Sequence, residues 1–257
     1  MKGKHYSFHL RSKWEKTQAL LKNSRIAGWV PATKKMTKAN LQAMLGQHAM
    51  VYIKPDQGSK GIGVMKIEKP RGSGSPIYRC QSGTEVRTFS VYESLEKYVQ
   101  AFSGKRPYLI QRGIHLPRFK ERPYDLRVMV QMSPENKWET TGMVGRLAKR
   151  GKIVTNGSQG AQSVYVDVLL PKLQRHRLKA LLKNIGFTTA LHLQKLYPPI
   201  KEIGLDIAFD SRFKPWILEF NTLPEPHPFM KLKDQRMYHK MIRYGKAYGR
   251  YTKVRVL

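Results

Sequence analysis

Carboxylates are scarce in this sequence and crowd into one stretch of it. Of seventeen Asp and Glu, five (Glu202, Asp206, Asp210, Glu219 and Glu225) fall within residues 202–225. The segment GLDIAFDSRFKPWILEFN reads as two strands around a turn at 211–214. If Asp210 faces Pro215 across that turn, Asp206 lies opposite Glu219. Asn221, two residues further on, then projects from the same face, because side chains alternate along a strand. Like charges directly opposed destabilise a sheet unless something offsets them. Asp206, Glu219 and Asn221 would offer hard oxygen ligands to Mg²⁺, an ion that keeps coordination positions for water and phosphate. A solvent-facing pair on an exposed hairpin satisfies the same pattern, and the spacing alone leaves both open.

A second group is Lys54 followed by the turn Asp56-Gln57-Gly58-Ser59-Lys60-Gly61-Ile62-Gly63. Glycines admit positive φ and let backbone N–H groups approach phosphate oxygens, and a lysine ending the preceding strand adds a point charge. The run lacks the Gly-Lys-Ser/Thr of a helix-terminus phosphate loop. It lies between strands, as a flap over phosphates would, or as an ordinary hairpin turn would. Arg127 and Arg146 sit in long apolar strands. A planar guanidinium there suits bidentate contact with phosphate or carboxylate during phosphoryl transfer, and equally a structural ion pair. Asn156, in Thr155-Asn156-Gly157-Ser158-Gln159-Gly160, reads by itself as loop.

The elements that must position these groups are mixed. A helix is expected over 34–46, strands over 50–55 and 63–68, a loop at 71–76, and strands over 77–80 and 85–89. Ser90 would cap a helix over 91–102, with Leu95, Tyr98, Val99 and Phe102 as its apolar stripe. Strands follow at 108–111, 125–132 and 138–148, separated by a loop at 112–123 rich in Arg, Lys and Pro. Residues 151–162 are Gly-rich and polar. Helices are expected over 171–185 and 188–196, strands over 203–209 and 215–220, and a basic helix over 228–248. Hairpins among mixed strands and helices point to α+β lobes rather than a doubly wound sheet.

Composition bounds the alternatives. A chain of 257 residues with 40% apolar side chains buries a core of one domain or two. No run approaches the ~20 apolar residues of a membrane span, and the basic start MKGKHYSFHLRSKWEK has no apolar run behind it, so no secretory signal is expected. The single cysteine, Cys80, excludes an intrachain disulfide and suits a reducing compartment, so a cytoplasmic setting is expected. The eight histidines lack zinc-site spacing, and His5 and His9 read as a solvated terminus. The outlying number is the net charge of +31, from 48 basic against 17 acidic side chains. Residues 1–50 carry ten Lys/Arg against Glu15 alone, and residues 231–257 carry nine against Asp234 alone. Such basic flanks draw in polyanions.

In order, Lys-Pro…Gly-Ser-x-Gly-x-Gly, Asp-Leu-Arg, Gly-Arg-Leu-Ala, Asn-Gly-x-x-Gly-Ala, Gly-Leu-Asp and Glu-Phe-Asn-Thr-Leu-Pro resemble an ATP-grasp domain over about residues 29–230. The set is similar to the YheC/YheD endospore coat-associated group, and more distantly to RimK-type glutamate ligases and D-alanine–D-alanine ligases. The resemblance implies an ATP-grasp fold of two α/β lobes sandwiching ATP. A basic N-terminal segment (1–28), a small lobe (29–110), a large lobe (111–230) and a basic C-terminal helix (231–257) would follow. It implies that Lys54 contacts the nucleotide, that Gly58, Ser59, Gly61 and Gly63 close over the phosphates, and that the connector Gln111, Arg112, Gly113 and Ile114 presents backbone to adenine. Arg127 and Arg146 would face the transferred phosphoryl and the acyl group. Asp206, Glu219 and Asn221 would hold Mg²⁺, with Asn156 near the same phosphates. The reaction implied is ATP-dependent ligation of a carboxylate to an amine through an acyl phosphate, with an association with spores. The pattern departs from the family at Gln111-Arg112-Gly113, where an acidic residue is usual, and at Glu225, where glycine is usual. The fifty or so residues before Lys54 imply a reduced or missing N-terminal substrate domain.

Three functions follow: a ligase acting on a peptide or acidic polymer, a coat or scaffold protein that keeps a nucleotide site without turnover, and a nucleic-acid binder. In the last, Trp14, Trp29, Tyr238, Tyr244, Tyr248 and Tyr251 would stack bases beside the basic ends.

Overall fold

The computed structural model describes residues 6–69 and 78–251. The loop expected at 71–76, the first residue of the strand expected over 77–80, and His5 lie outside them. Helices α1 (Lys13–Leu21) and α2 (Ser24–Ala27) precede two antiparallel sheets.

The first sheet runs from β1 (Thr33–Lys35) through β2 (Met50–Pro55), β3 (Met65–Glu68), β4 (Tyr78–Ser82) and β5 (Glu85–Phe89) to β6 (Tyr108–Arg112), in spatial order β1-β6-β2-β3-β4-β5. Helices α3 (Lys38–Gln47) and α4 (Tyr92–Ser103) bury Leu41, Met44, Leu95 and Val99 against its Val51, Ile53, Ile67 and Ile110. Each such side chain taken from water stabilises by about 1.5–3 kcal/mol. The helix expected over 34–46 starts later than its periodicity suggests. Residues 33–35 pair with β6 as an edge strand, and Thr37 caps α3 by accepting from Asn40 N. Likewise Val91, rather than Ser90, is the cap residue of α4, and it makes no side-chain cap bond.

Cys80 lies in β4, 2% exposed, and burial pushes its thiol up to about 12. Because the thiolate is the reactive form, alkylation at mildly alkaline pH is expected to spare Cys80 in the folded protein and to label it fully in denaturant. Equal labelling in both states, read by mass spectrometry, would contradict the burial.

The second sheet comprises β7 (Arg118–Phe119), β8 (Arg122–Met132), β9 (Trp138–Leu147), β10 (Gln162–Tyr165), β11 (Glu202–Phe209) and β12 (Pro215–Asn221), in order β10-β9-β8-β11-β12, with β7 on β8. Between β10 and β11 come α5 (Val166–Leu169) and α6 (Arg175–Leu196), and the chain continues into α7 (His227–Met230) and α8 (Arg236–Ala247). One face of this sheet packs Leu126, Val128, Val130, Ile203, Leu205 and Ile207 against α1, α2 and α6. The two helices expected over 171–185 and 188–196 are one. Gly186, which invites a break, lies inside α6 because the helix presses on β8 there: a Cβ would sit 2.8 Å from Val130 Cγ2.

The basic helix expected over 228–248 is interrupted at 231–235, where Asp234 accepts from Arg236 N at 2.9 Å. It docks on the body. Met241 and Phe229 pack on Met129 and Val144, and Arg250 pairs with the fully buried Glu202. Tyr244 and Tyr251 are buried, and Tyr248 Oη donates to Glu202 Oε2 at 2.7 Å. These three rings are thus engaged within the molecule, which removes them from the base-stacking role that the nucleic-acid reading assigned them. No helix among the described residues is long and apolar enough to cross a membrane.

Candidate nucleotide and metal site

The face of the second sheet opposite α6 carries α7 and α8 on one part and a row of charge on the other. Strand pairing builds that row: Asp125 (β8) opposes Arg146 (β9), Arg127 (β8) opposes Asp206 (β11), and Asp206 opposes Glu219 (β12). Arg146 donates to both oxygens of Asp125, from Nε at 2.8 Å and Nη2 at 2.5 Å, and its Nη2 also lies 2.9 Å from Asp206 Oδ2. Thr155 Oγ1 donates to Asp125 Oδ2 at 2.6 Å, and Arg127 Nε donates to Asp206 Oδ1 at 2.6 Å. All four charged residues are under 9% exposed. Burial alone would raise the Asp206 carboxyl, but Arg127 and Arg146 more than offset this and hold it below the usual carboxylate range. Both arginines therefore make the structural ion pairs that their strands allowed for. Among the described residues Arg127 is bonded through Nε alone, so its terminal nitrogens remain for an incoming oxyanion.

The register at β12 differs from expectation in a way that matters. Asp206 does face Glu219, yet Phe209, not Asp210, faces Pro215, and Ile207 faces Ile217. Leu218 is the extra residue of a bulge, which shifts the alternation. Ile217 thus joins the core beside Ile207, while Glu219 turns with Asp206 to the charged face. Asp210 instead organises the turn, accepting from Arg212 N, Lys214 N and Trp216 Nε1.

Across a crevice stands the first sheet. Lys54 Nζ donates to Gln111 Oε1 at 2.6 Å, and Gln111 Nε2 donates to Thr33 Oγ1 at 3.2 Å. Burial lowers the Lys54 pKa, partly opposed by the Glu219 charge. Lys54, Leu109 and Gln111 line one cavity with Val30 and Glu219, so apolar walls and convergent charge share a single space. The turn after β2 holds Gly58, Gly61 and Gly63 at φ of 141°, 71° and 73°, conformations that favour glycine. The turn also touches the 153–160 loop: Val154 packs on Gly61, and Ser158 Oγ lies 3.3 Å from Lys60 O. Ser59 is exposed.

Two further lysines enter this cavity from α1. Lys16 Nζ lies 3.2 Å from Glu219 Oε1 and 3.3 Å from Asn221 Oδ1, and Lys13 Nζ donates to Gly58 O at 2.8 Å. Burial lowers the Lys13 pKa, with Glu219 opposing. Sequence reasoning treated residues 1–28 as a basic flank and missed both lysines. The available signal was Ser12-Lys13-Trp14-Glu15, a Ser-x-x-Glu helix start: Ser12 Oγ accepts from Glu15 N at 3.1 Å. Asp125 was passed over beside Arg127, although it is the most buried of the four charges in the row.

A model of YheC/D-like ATP-grasp proteins matches residues 4–251. The chain belongs to that family. Two curated relatives from Bacillus subtilis (strain 168) are the endospore coat-associated protein YheC, 22% identical, and the endospore coat-associated protein YheD, 26% identical. The alignments cover 88% and 83% of this chain but 63% and 48% of those proteins, so the chain spans about half to two thirds of their length. Among solved structures, N5-carboxyaminoimidazole synthetase from Staphylococcus aureus, complexed with ADP, shares the fold with a TM-score of 0.57 at 8% identity, over 94% of this chain and 52% of that one.

Several family positions read from the sequence are arranged otherwise than expected. In the connector, the N–H groups of Arg112 and Gly113 already donate to Ala32 O and Met50 O at 2.8 Å, so neither is available to a base. Ile114 is buried with Ala208 and Trp216, and the Arg112 guanidinium stacks over Trp216 at 4.9 Å. Only Gln111 of the four lines the cavity. Asn156 caps its own 3₁₀ turn (Gly157–Gln159), accepting from Ser158 N at 3.0 Å. The metal set is two carboxylates and an amide. Among the described residues no group of three or more His, Cys, Asp or Glu is placed to hold a metal ion. Glu219 and Asn221 nonetheless converge on one cationic centre, the Lys16 ammonium, so their oxygens can share a cation. Asp206 keeps lone pairs beyond those used by the arginines.

Proposed function

We propose that this protein binds ATP with magnesium between its two sheets and uses it to join a carboxylate to an amine. The observation that carries the reading is the crevice itself. Three ammonium groups (Lys13, Lys16 and Lys54) and one carboxylate, Glu219, line a small cavity of about 20 Å³ with apolar walls; widened, it would take a base at one end and a polyanion at the other. Asp206, Glu219 and Asn221 would hold magnesium, which neutralises charge between phosphate oxygens when bound. Leu109 and Val30 would flank the base, and Gln111 would present its amide. Lys54 would hold phosphate oxygens, and the glycine turn would cover them.

The substrate carboxylate attacks the γ-phosphorus, ADP leaves, and the free terminal nitrogens of Arg127 face the transferred group. An amine then displaces phosphate from the acyl carbon and loses its proton to solvent. Positioning and preorganised charge carry such chemistry without a covalent protein nucleophile. The basic surface favours an acidic peptide or polymer as the carboxylate donor. Work at the spore coat, as the relatives' names suggest, belongs to the same proposal.

The test is release of ADP and phosphate when candidate acids and amines are supplied together. Nucleotide binding without turnover under every combination would favour the scaffold reading. Lys54→Ala is expected to weaken ATP about ten- to a hundredfold, as the loss of a charge-assisted contact of ~1.5–3 kcal/mol implies. Unchanged affinity by calorimetry would take Lys54 out of the site.

A further inference from the structure

Helix α1 is fastened to both walls of the crevice. At its start, Ser12 Oγ and Trp14 N donate to Asp56 Oδ1 at 3.0 and 2.8 Å, and Lys13 N donates to Asp56 O at 2.9 Å, at the entry to the glycine turn. Just before it, Leu10 N donates to Thr222 Oγ1 at 3.0 Å, immediately after β12. The strap so formed aims Lys16 at the carboxylate and amide oxygens read above as metal ligands. The Lys16 side chain is 7% exposed, and its ammonium lies 5.9 Å from the Phe220 ring centre. This ammonium is thus an occupant in close contact with both oxygens, rather than a passing surface charge.

An ammonium and a divalent ion cannot both be there. Magnesium contacts its oxygens at ~2.0–2.1 Å, so an ion bridging Glu219 and Asn221 from the crevice would collide with the nitrogen now bridging them. Repulsion adds to sterics, because Lys13 and Lys54 face the same space. A bare divalent ion entering would meet three positive groups and one ligand carboxylate already paired.

We infer that Lys16 is a built-in counter-ion competing with the metal for Glu219 and Asn221. The metal then loads only when an oxyanion arrives with it and receives the displaced ammonium. Lys16 stays close by, because the start of α1 is tied to both walls of the crevice while the four-carbon stem of Lys16 can swing. The inference rests on the proposed metal role of Glu219 and Asn221, and it adds an order to binding: metal and polyanion enter together, and metal alone is refused.

The experiment uses Mn²⁺ as the probe, with no nucleotide present, and reads free Mn²⁺ by electron paramagnetic resonance. Lys16→Met keeps the packing of the stem and removes the charge. It is expected to bind Mn²⁺ at least tenfold more tightly than the unaltered protein. Lys16→Gln, which keeps a hydrogen-bond donor, carries the same expectation should the methionine variant fail to fold. Lys22→Met removes one exposed charge from the same segment and is expected to leave Mn²⁺ binding unchanged, which separates local competition from the general field. Adding Glu219→Ala to Lys16→Met is expected to abolish the gained binding. No gain in either Lys16 variant, with the Lys22 variant matching them, overturns the inference. A gain that survives Glu219→Ala places the ion elsewhere and overturns the metal role of Glu219 itself.

Discussion

Glu219→Ala is expected to remove magnesium-dependent nucleotide binding and to lower any turnover by at least about a hundredfold, the scale seen when one preorganised charge-stabilising group is lost. The fold should survive. Glu219 is 27% exposed, but its loss leaves the buried Lys16 ammonium to Asn221 alone, so a stability cost of about 1–3 kcal/mol is expected. Glu219→Gln sharpens the test, since its amide oxygen still accepts from Lys16 while the charge is gone. Binding of ATP with magnesium by calorimetry, beside a urea denaturation of each variant, separates site from scaffold. Full magnesium-dependent binding in the alanine variant would remove Glu219 from the site.

The second large effect is on stability. Asp125→Ala would leave Arg146, 6% exposed, facing Asp206 alone, and would strand Thr155 Oγ1 without its acceptor. Breaking a buried pair from one side costs about 3–5 kcal/mol, because the remaining charge is uncompensated. Both partners lie out of water, so screening does not discount this figure. The urea midpoint should fall accordingly. Asp125→Leu combined with Arg146→Met, which replaces the pair with apolar groups, is expected to recover most of the loss while abolishing turnover. A loss below ~1 kcal/mol in Asp125→Ala would show that the network does not hold the strands together.

Much of this architecture is legible in the chain. The strands carrying Asp125, Arg127, Arg146, Asp206 and Glu219 announce themselves by apolar alternation. The opposition of Asp206 and Glu219 is found as counted, but the count began from Asp210 facing Pro215, where Phe209 stands, and the Leu218 bulge makes up the difference. Illegible parts have physical causes. Gly186 reads as a helix break because its missing side chain serves a contact with Val130, distant in sequence, that no local pattern reveals. The connector looks free to offer backbone to a base, but the Ala32 and Met50 carbonyls that consume its N–H groups come from elsewhere in the chain. Lys13 and Lys16 look like two more charges in a basic flank. Their role depends on where α1 docks, and the Ser12–Glu15 cap signals only that a helix starts.

The bulge at Leu218 makes the pairing of β12 as consequential as its composition. Ile217 and Glu219 stand two positions apart, a spacing that puts both on one side of a regular strand, and only the unpaired Leu218 lets them answer to opposite sides. Were Leu218 paired in regular register instead, either an isoleucine would be pushed into the charged crevice, or the carboxylate and its companion Asn221 would be turned into hydrocarbon. The bulge thus acts as a parity lock: the irregularity itself keeps these oxygens facing the cleft.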